Sequence, residues 1–144
     1  MDIIVPFSIR KKELAGKVTD EAKKLLGKIK ERPALAVTIS AKGLPERTTL
    51  HKVYATASGG ARRLLFFCRQ APPPLPGKPG SDKKPPPQLP ERWVLVFYRD
   101  KGDEVGDNMS HKNRAFGAQL EKNLTIALGD LLASTPANPL YEQF

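Results

Sequence analysis

The chain has 144 residues, with 24 Lys and Arg against 15 Asp and Glu, a formal net charge of +9. That length holds one domain with a single core of ordinary size, and a positive field of this kind draws polyanions over about 8 Å at physiological salt. A single cysteine, Cys68, excludes an internal disulfide; no Cys/His cluster has metal-ligand spacing, and the longest apolar run, Trp93 to Tyr98, is too short to cross a bilayer.

The N-terminus, Met1 to Pro6, has no basic stretch ahead of its short apolar run, so no signal peptide is expected and the cytoplasm is the expected location. Asp2 to Ile9 alternates loosely and reads as a first strand. Thr19 is placed as an N-cap, with Asp20 and Glu21 in the first turn where the helix dipole favours carboxylates. Val18, Ala22, Leu25, Leu26 and Ile29 then recur at helical spacing, and Arg32-Pro33 ends the helix because a residue before proline resists the α region. Ala34 to Ile39 is apolar and leaves strand and helical turn both open, and Gly43-Leu44-Pro45 marks a loop.

Three strand signals follow: Leu50 to Ala57, Ala61 to Arg69 after a turn at Ser58-Gly59-Gly60, and Arg92 to Arg99. They are rich in β-branched and aromatic residues and carry cations at or beside their ends. Between the last two lies the segment 71–90, with nine prolines in twenty residues. Few backbone donors and a preset φ make it an extended insert outside the core. Ser110 is placed as the N-cap of a closing helix whose apolar stripe is Phe116, Leu120, Leu124, Ala127, Leu128 and Leu131. Lys112 and Arg114 fall in its first turn, where the dipole disfavours cations. Residues 135–144 hold two prolines and read as a fraying tail, unless Leu140, Tyr141 and Phe144 dock on a partner.

The expected fold is therefore α+β: a three- to four-stranded antiparallel sheet, an N-terminal helix and a closing C-terminal helix. Its single domain covers 1–134, with the proline-rich loop 71–90 inserted in a hairpin and a tail at 135–144.

The order of parts from Glu31-Arg32-Pro33 to Lys101 resembles bacterial RelE/HigB-type toxins of toxin–antitoxin pairs. The residues carrying the likeness are Leu50-His51-Lys52-Val53, Gly59-Gly60-Ala61-Arg62 with the Leu-Leu-Phe-Phe strand after it, Val94-Leu95-Val96-Phe97-Tyr98, and Lys101. About two-thirds of the chain is covered once the insert is set aside. The resemblance implies a toxin that cuts messenger RNA in the ribosome or, in a divergent branch, poisons DNA gyrase, and that a cognate antitoxin protein neutralises. It implies no cofactor and no metal. The ribose 2′-hydroxyl attacks the adjacent phosphate, which needs a proton acceptor, cations facing the transition state and a donor to the leaving oxygen. On that reading Arg62 stabilises the developing charge, since a guanidinium fork matches phosphate oxygens. Lys52 and Lys101 support it, Arg99 could replace Lys101 if the register differs by two, and Tyr98 or His111 moves the proton or stacks on a base. Arg63, Arg99, Lys112 and Arg114 are the further phosphate-binding candidates.

Each of these residues also has a plainer reading. Arg62 and Arg63 would guard an edge strand against aggregation, Tyr98 would be a half-buried sheet residue, Lys52 and Lys101 solvated lysines, and His51 a surface or strand residue. Two departures from the family pattern stand out: the Arg62-Arg63 pair, whose second member must find a partner if it faces the core, and the insert itself. The insert carries Pro73-x-x-Pro76-x-Lys78 and Pro87-x-x-Pro90-x-Arg92, the spacing of polyproline ligands. Two other functions therefore stay open: a non-catalytic toxin that binds gyrase, RNA or ribosome, and an interaction module acting through the proline-rich loop.

Overall fold

Pro6 divides the N-terminal apolar run in two. The run is not one strand to Ile9: β1 covers Asp2–Pro6 and a short helix, α1, covers Phe7–Glu13. Pro6 lies at φ −59° and serves as the N-cap residue without a side-chain bond. The capping instead comes from far along the chain, where Asp130 accepts from Ser8 N at 2.7 Å and from Ser8 Oγ at 2.9 Å. A carboxylate at a helix start is favoured by the exposed N–H groups and the dipole. No local pattern could have announced it.

The computed structural model describes residues 2–39, 44, 47–57, 60, 62–70, 92–100 and 114–144, the side chains of 100, 114 and 115 excepted. Helix α2 is Asp20–Glu31, capped as expected by Thr19, whose Oγ1 accepts from Ala22 N at 3.2 Å. Its buried residues, Ala22, Leu25, Leu26 and Ile29, are those of the helical spacing. Pro33–Leu35 forms a 3-10 turn, followed by β2, Val37–Ile39. Three nine-residue strands come next: β3, Thr48–Thr56; β4, Arg62–Gln70; and β5, Arg92–Asp100. Helix α3 is Arg114–Ala133 and β6 is Tyr141–Gln143. No described helix is long and apolar enough to cross a membrane.

The fold is α+β, but the sheet is neither three- to four-stranded nor wholly antiparallel. Among the described residues it has six strands in the order β2-β3-β4-β5-β1-β6, and β1 runs parallel to β5. The hairpins β3–β4 and β4–β5 follow from sequence neighbours, whereas the β1–β5 pairing joins segments about ninety residues apart. Periodicity marks a strand but does not name a distant partner. The tail also departs from expectation. β6 lies antiparallel on β1, Ile3 and Phe144 exchange backbone hydrogen bonds of 3.2 and 2.8 Å, and Glu142 pairs with Arg10.

Helices cover both faces of the sheet. Successive strand residues point to opposite sides, and Arg63 and Tyr98 meet Glu21 of α2 while the neighbouring Phe66 and Phe97 pack on Phe116 of α3. Leu64 to Cys68 and Trp93 to Phe97 are consequently buried without a break. Cys68 belongs to this core, and burial pushes its thiol up to about 12.

Strand β5 carries a bulge. Phe66 pairs with Phe97 and Phe67 with Leu95, so Val96 is the extra residue. Its carbonyl accepts from the buried Asn123 amide at 2.6 Å, and Asn123 in turn accepts from Lys12 Nζ at 2.5 Å. The bulge reverses the alternation along β5. Trp93 and Leu95 share a face with Tyr98, and Phe97 and Arg99 occupy the other.

Candidate nucleic-acid interface

Nine unbroken residue pairs join β3 to β4, which fixes the faces on this side of the sheet. Lys52 lies opposite Phe66, Tyr54 opposite Leu64 and Thr56 opposite Arg62, so Lys52, Tyr54, Thr56 and Arg62 share the α3 face. Val37 of β2, paired with Lys52, joins them. On the sheet, helix α3 packs chiefly on β5 and β1. Tyr54 is 51% exposed, Val37 is 55% exposed, and Arg62 is exposed. The Lys52 ammonium stands 5.4 Å from the centroid of the Tyr54 ring. Beyond the ring, a hollow of about 350 Å³ is lined by Tyr54, Ala55, Thr56 and Arg62. No described carboxylate forms an ion pair with Lys52 or Arg62. Arg62 is exposed and Lys52 half-buried.

The other described candidates are committed elsewhere. Arg63 is on the α2 face, where its Nε and Nη2 donate to Glu21 at 3.3 and 3.2 Å. The partner required of a core-facing arginine is thus supplied by helix α2. Tyr98 is on the same face and donates its hydroxyl to Glu21 at 2.9 Å. Burial, then the Glu21 carboxylate beside it, push the phenol up to about 12. Glu21 is held below the usual carboxylate range by the Tyr98 hydrogen bond first and the Arg63 guanidinium after it. Arg99 shares the α3 face with Arg62 but donates to Glu13 at 2.7 Å and to Gln119 at 3.2 Å. The Glu13 side chain is 1% exposed and also accepts from Tyr98 N, so this pair fastens α1 to β5.

Of the two plainer readings of His51, surface or strand, the second holds: it is a buried residue of β3. Its ring stacks 5.1 Å from Trp93, and both nitrogens are engaged, Nδ1 with Thr38 Oγ1 at 3.2 Å and Nε2 with Thr49 Oγ1 at 2.7 Å. Lys101, His111 and Lys112 lie outside the described residues, as do Ser110 and the insert. Arg114 opens helix α3, and its side chain is outside the description.

The structure thus brings together two of the predicted residues, Lys52 and Arg62, and adds Tyr54 between them. Sequence reasoning passed over Tyr54, although the i, i+2 spacing from Lys52 on a strand was there to place both on one face. No protein-family model, no curated protein and no solved structure matches this chain. What fold and site define together is a class: an α+β domain with a basic, aromatic-centred corner on its mixed sheet.

Proposed function

We propose that the chain is an RNA-directed toxin of the RelE/HigB type, which blocks translation by cutting messenger RNA in the ribosome and is held in check by an antitoxin protein. The observation that carries this reading is the β3–β4 corner, where Lys52, Tyr54 and Arg62 place two cations and an aromatic ring on one face of the sheet. Support also comes from the element order: helix α2, the Lys52 strand, Arg62 at the start of an aromatic strand, the Tyr98 strand and a closing helix follow one another. In this reading the Arg62 guanidinium faces the phosphate as charge develops on it, and Lys52 holds the neighbouring backbone.

One observation favours a non-catalytic toxin instead. Tyr98, a candidate for proton transfer, is on the opposite face from Arg62 and hydrogen-bonded to Glu21. Proton transfer at Arg62 then falls to another group.

The deciding experiment is induced expression of wild type and of Arg62→Ala in a bacterium, with the 5′ ends of cellular messages mapped. Growth arrest with new ends, both lost in Arg62→Ala, is the expected result. Arrest without new ends moves the function to the binding toxin. Growth without arrest removes the toxin reading altogether.

A further inference from the structure

Among the described residues the sheet ends on β2 at one side and on β6 at the other, and the two edges are kept differently. β6 carries Glu142, paired with Arg10, and Lys30 Nζ donates to the Phe144 carbonyl next to it at 3.0 Å. β2 has no such guard, since Pro33 to Ile39 contains no charged residue. Edge strands are ordinarily protected by charge, proline, shortness or a cover, because their unpaired N–H and C=O groups template another strand. Here a length of three residues is the only protection within the strand. Val37 and Thr38 point to opposite faces of the sheet, and both are exposed. Of the four large apolar side chains that are most open among the described residues, Leu35 and Val37 are two. Cations line the approach to this edge. Arg32 follows the last residue of α2, and Lys28 and Lys24 stand one and two turns further back. All three are exposed, and none forms an ion pair among the described residues. Glu31, also exposed, is the opposing charge at this end. Lys24 and Lys28 are like charges at i, i+4, an arrangement that costs the helix stability.

We infer that β2 is a docking edge for an extended, acidic segment of a partner protein, which adds a seventh strand to the six-stranded sheet. The edge selects the form of the occupant, and the charge selects its composition. A polynucleotide or a lipid surface has no strand to add. A second copy of the chain brings its own net charge of +9, with its own Arg32 and Lys28, to the joint. Side chains of an added strand alternate between the faces. One row falls beside Val37 on the α3 face and is apolar; the other falls on the α2 face, toward the cations, and is acidic. The inference uses neither Arg62 nor the RNA-directed reading, and stands or falls apart from both.

The test selects linear peptides from a random phage-displayed library against the full chain and measures the selected peptides by fluorescence anisotropy. Peptides that alternate β-branched and acidic residues are expected. Their binding should fall about tenfold in the double variant Lys28→Glu, Arg32→Glu, and the loss should shrink as salt rises. Each peptide is also made in two forms, N-methylated at one or the other set of alternate residues. One form should bind as the parent does and the other not at all, because an added strand turns only every second N–H toward β2. Amide exchange at Val37–Ile39 should slow when the parent peptide is bound. Two methylated forms that bind alike overturn the strand edge, as does a library that yields no peptide of this kind. Binding that survives the charge reversal overturns the acidic occupant. Self-association of the chain alone, abolished by Val37→Lys, gives the edge to a second copy and overturns the inference as well. Matching thermal midpoints of the variants assign any loss to the surface rather than to the fold.

Discussion

Glu21 accepts two arms of Arg63 and the hydroxyl of Tyr98, so one carboxylate on α2 ties together two adjacent strands of the sheet. Its pKa lies below the usual value, so its contribution is present above about pH 4.5 and lost as pH falls through the depressed native value. Tyr98 behaves in the opposite sense. Its pKa is raised from 10.0 to about 12, so its contribution is present below pH 10 and lost as pH rises toward 12. Cys68 adds an alkaline loss of the same sign from pH 9 upward, through burial alone. Tyr98→Phe deletes the largest cause of the Glu21 shift and all of the phenol's own titration. It is expected to lower stability by about 1 kcal/mol at neutral pH, a hydrogen bond to a charged group discounted for partial exposure. It should also flatten both the acid limb and the part of the alkaline limb above pH 10. Urea unfolding midpoints of the two proteins across pH measure this, and parallel profiles would show that the Glu21–Tyr98 bond contributes nothing. At this scale the residue types were legible and their assignments only partly so. That a core-facing Arg63 needs a partner followed from the sequence, whereas the partner, 42 residues earlier, did not.

The elements that were legible are those whose signals are local. Thr19 and the spacing from Ala22 to Ile29 gave α2, and the β-branched and aromatic runs gave β3, β4 and β5 to within two residues at either end. What local pattern could not supply was the bulge at Val96. Strict alternation places Trp93, Leu95, Phe97 and Arg99 on one face, and the extra residue moves Phe97 and Arg99 to the other. That reversal is why Arg99 shares a face with Arg62, and why Tyr98 does not. Strand β6 was illegible for a related reason, since a three-residue strand among prolines has no period to detect. Its worth is in its partners: the paired backbone at Ile3, the bond from Phe7 N to Leu140 O, and Arg10 against Glu142. Deleting residues 140–144 is expected to destabilise the fold by about 3 kcal/mol, from several hydrogen bonds at about 1 kcal/mol each. It would also bare the outer edge of β1 and promote association between copies. Thermal melts and light scattering report the two effects, and an unchanged midpoint would mean that β6 rests on β1 without holding it.

At the scale of the whole molecule, the net charge of +9 gives a field without an address, and ion pairing takes up only part of it. Arg63, Arg99 and Arg10 each meet a carboxylate, whereas Lys52 and Arg62 on the β3–β4 corner, like Lys24, Lys28 and Arg32 along the exposed side of α2, do not. The proline-rich insert sets a second whole-molecule question, because residues 71–91 join strands already held in register beside it. Gln70 pairs with Arg92, and the Arg92 guanidinium donates to the Gln70 side chain at 2.9 Å. Closing a loop costs about 0.6 kcal/mol for each doubling of its length. Replacing residues 71–91 with a turn of about five residues removes roughly two doublings, and stability is expected to rise by about 1 kcal/mol. The Lys52, Tyr54 and Arg62 corner lies toward the opposite end of the β3–β4 ladder from Gln70, so RNA binding and growth arrest should persist, with only a shallower salt slope from the lysines lost. Arrest that disappears from a variant that still folds and still binds RNA would make the proline-rich loop the working part, and the basic corner its accessory.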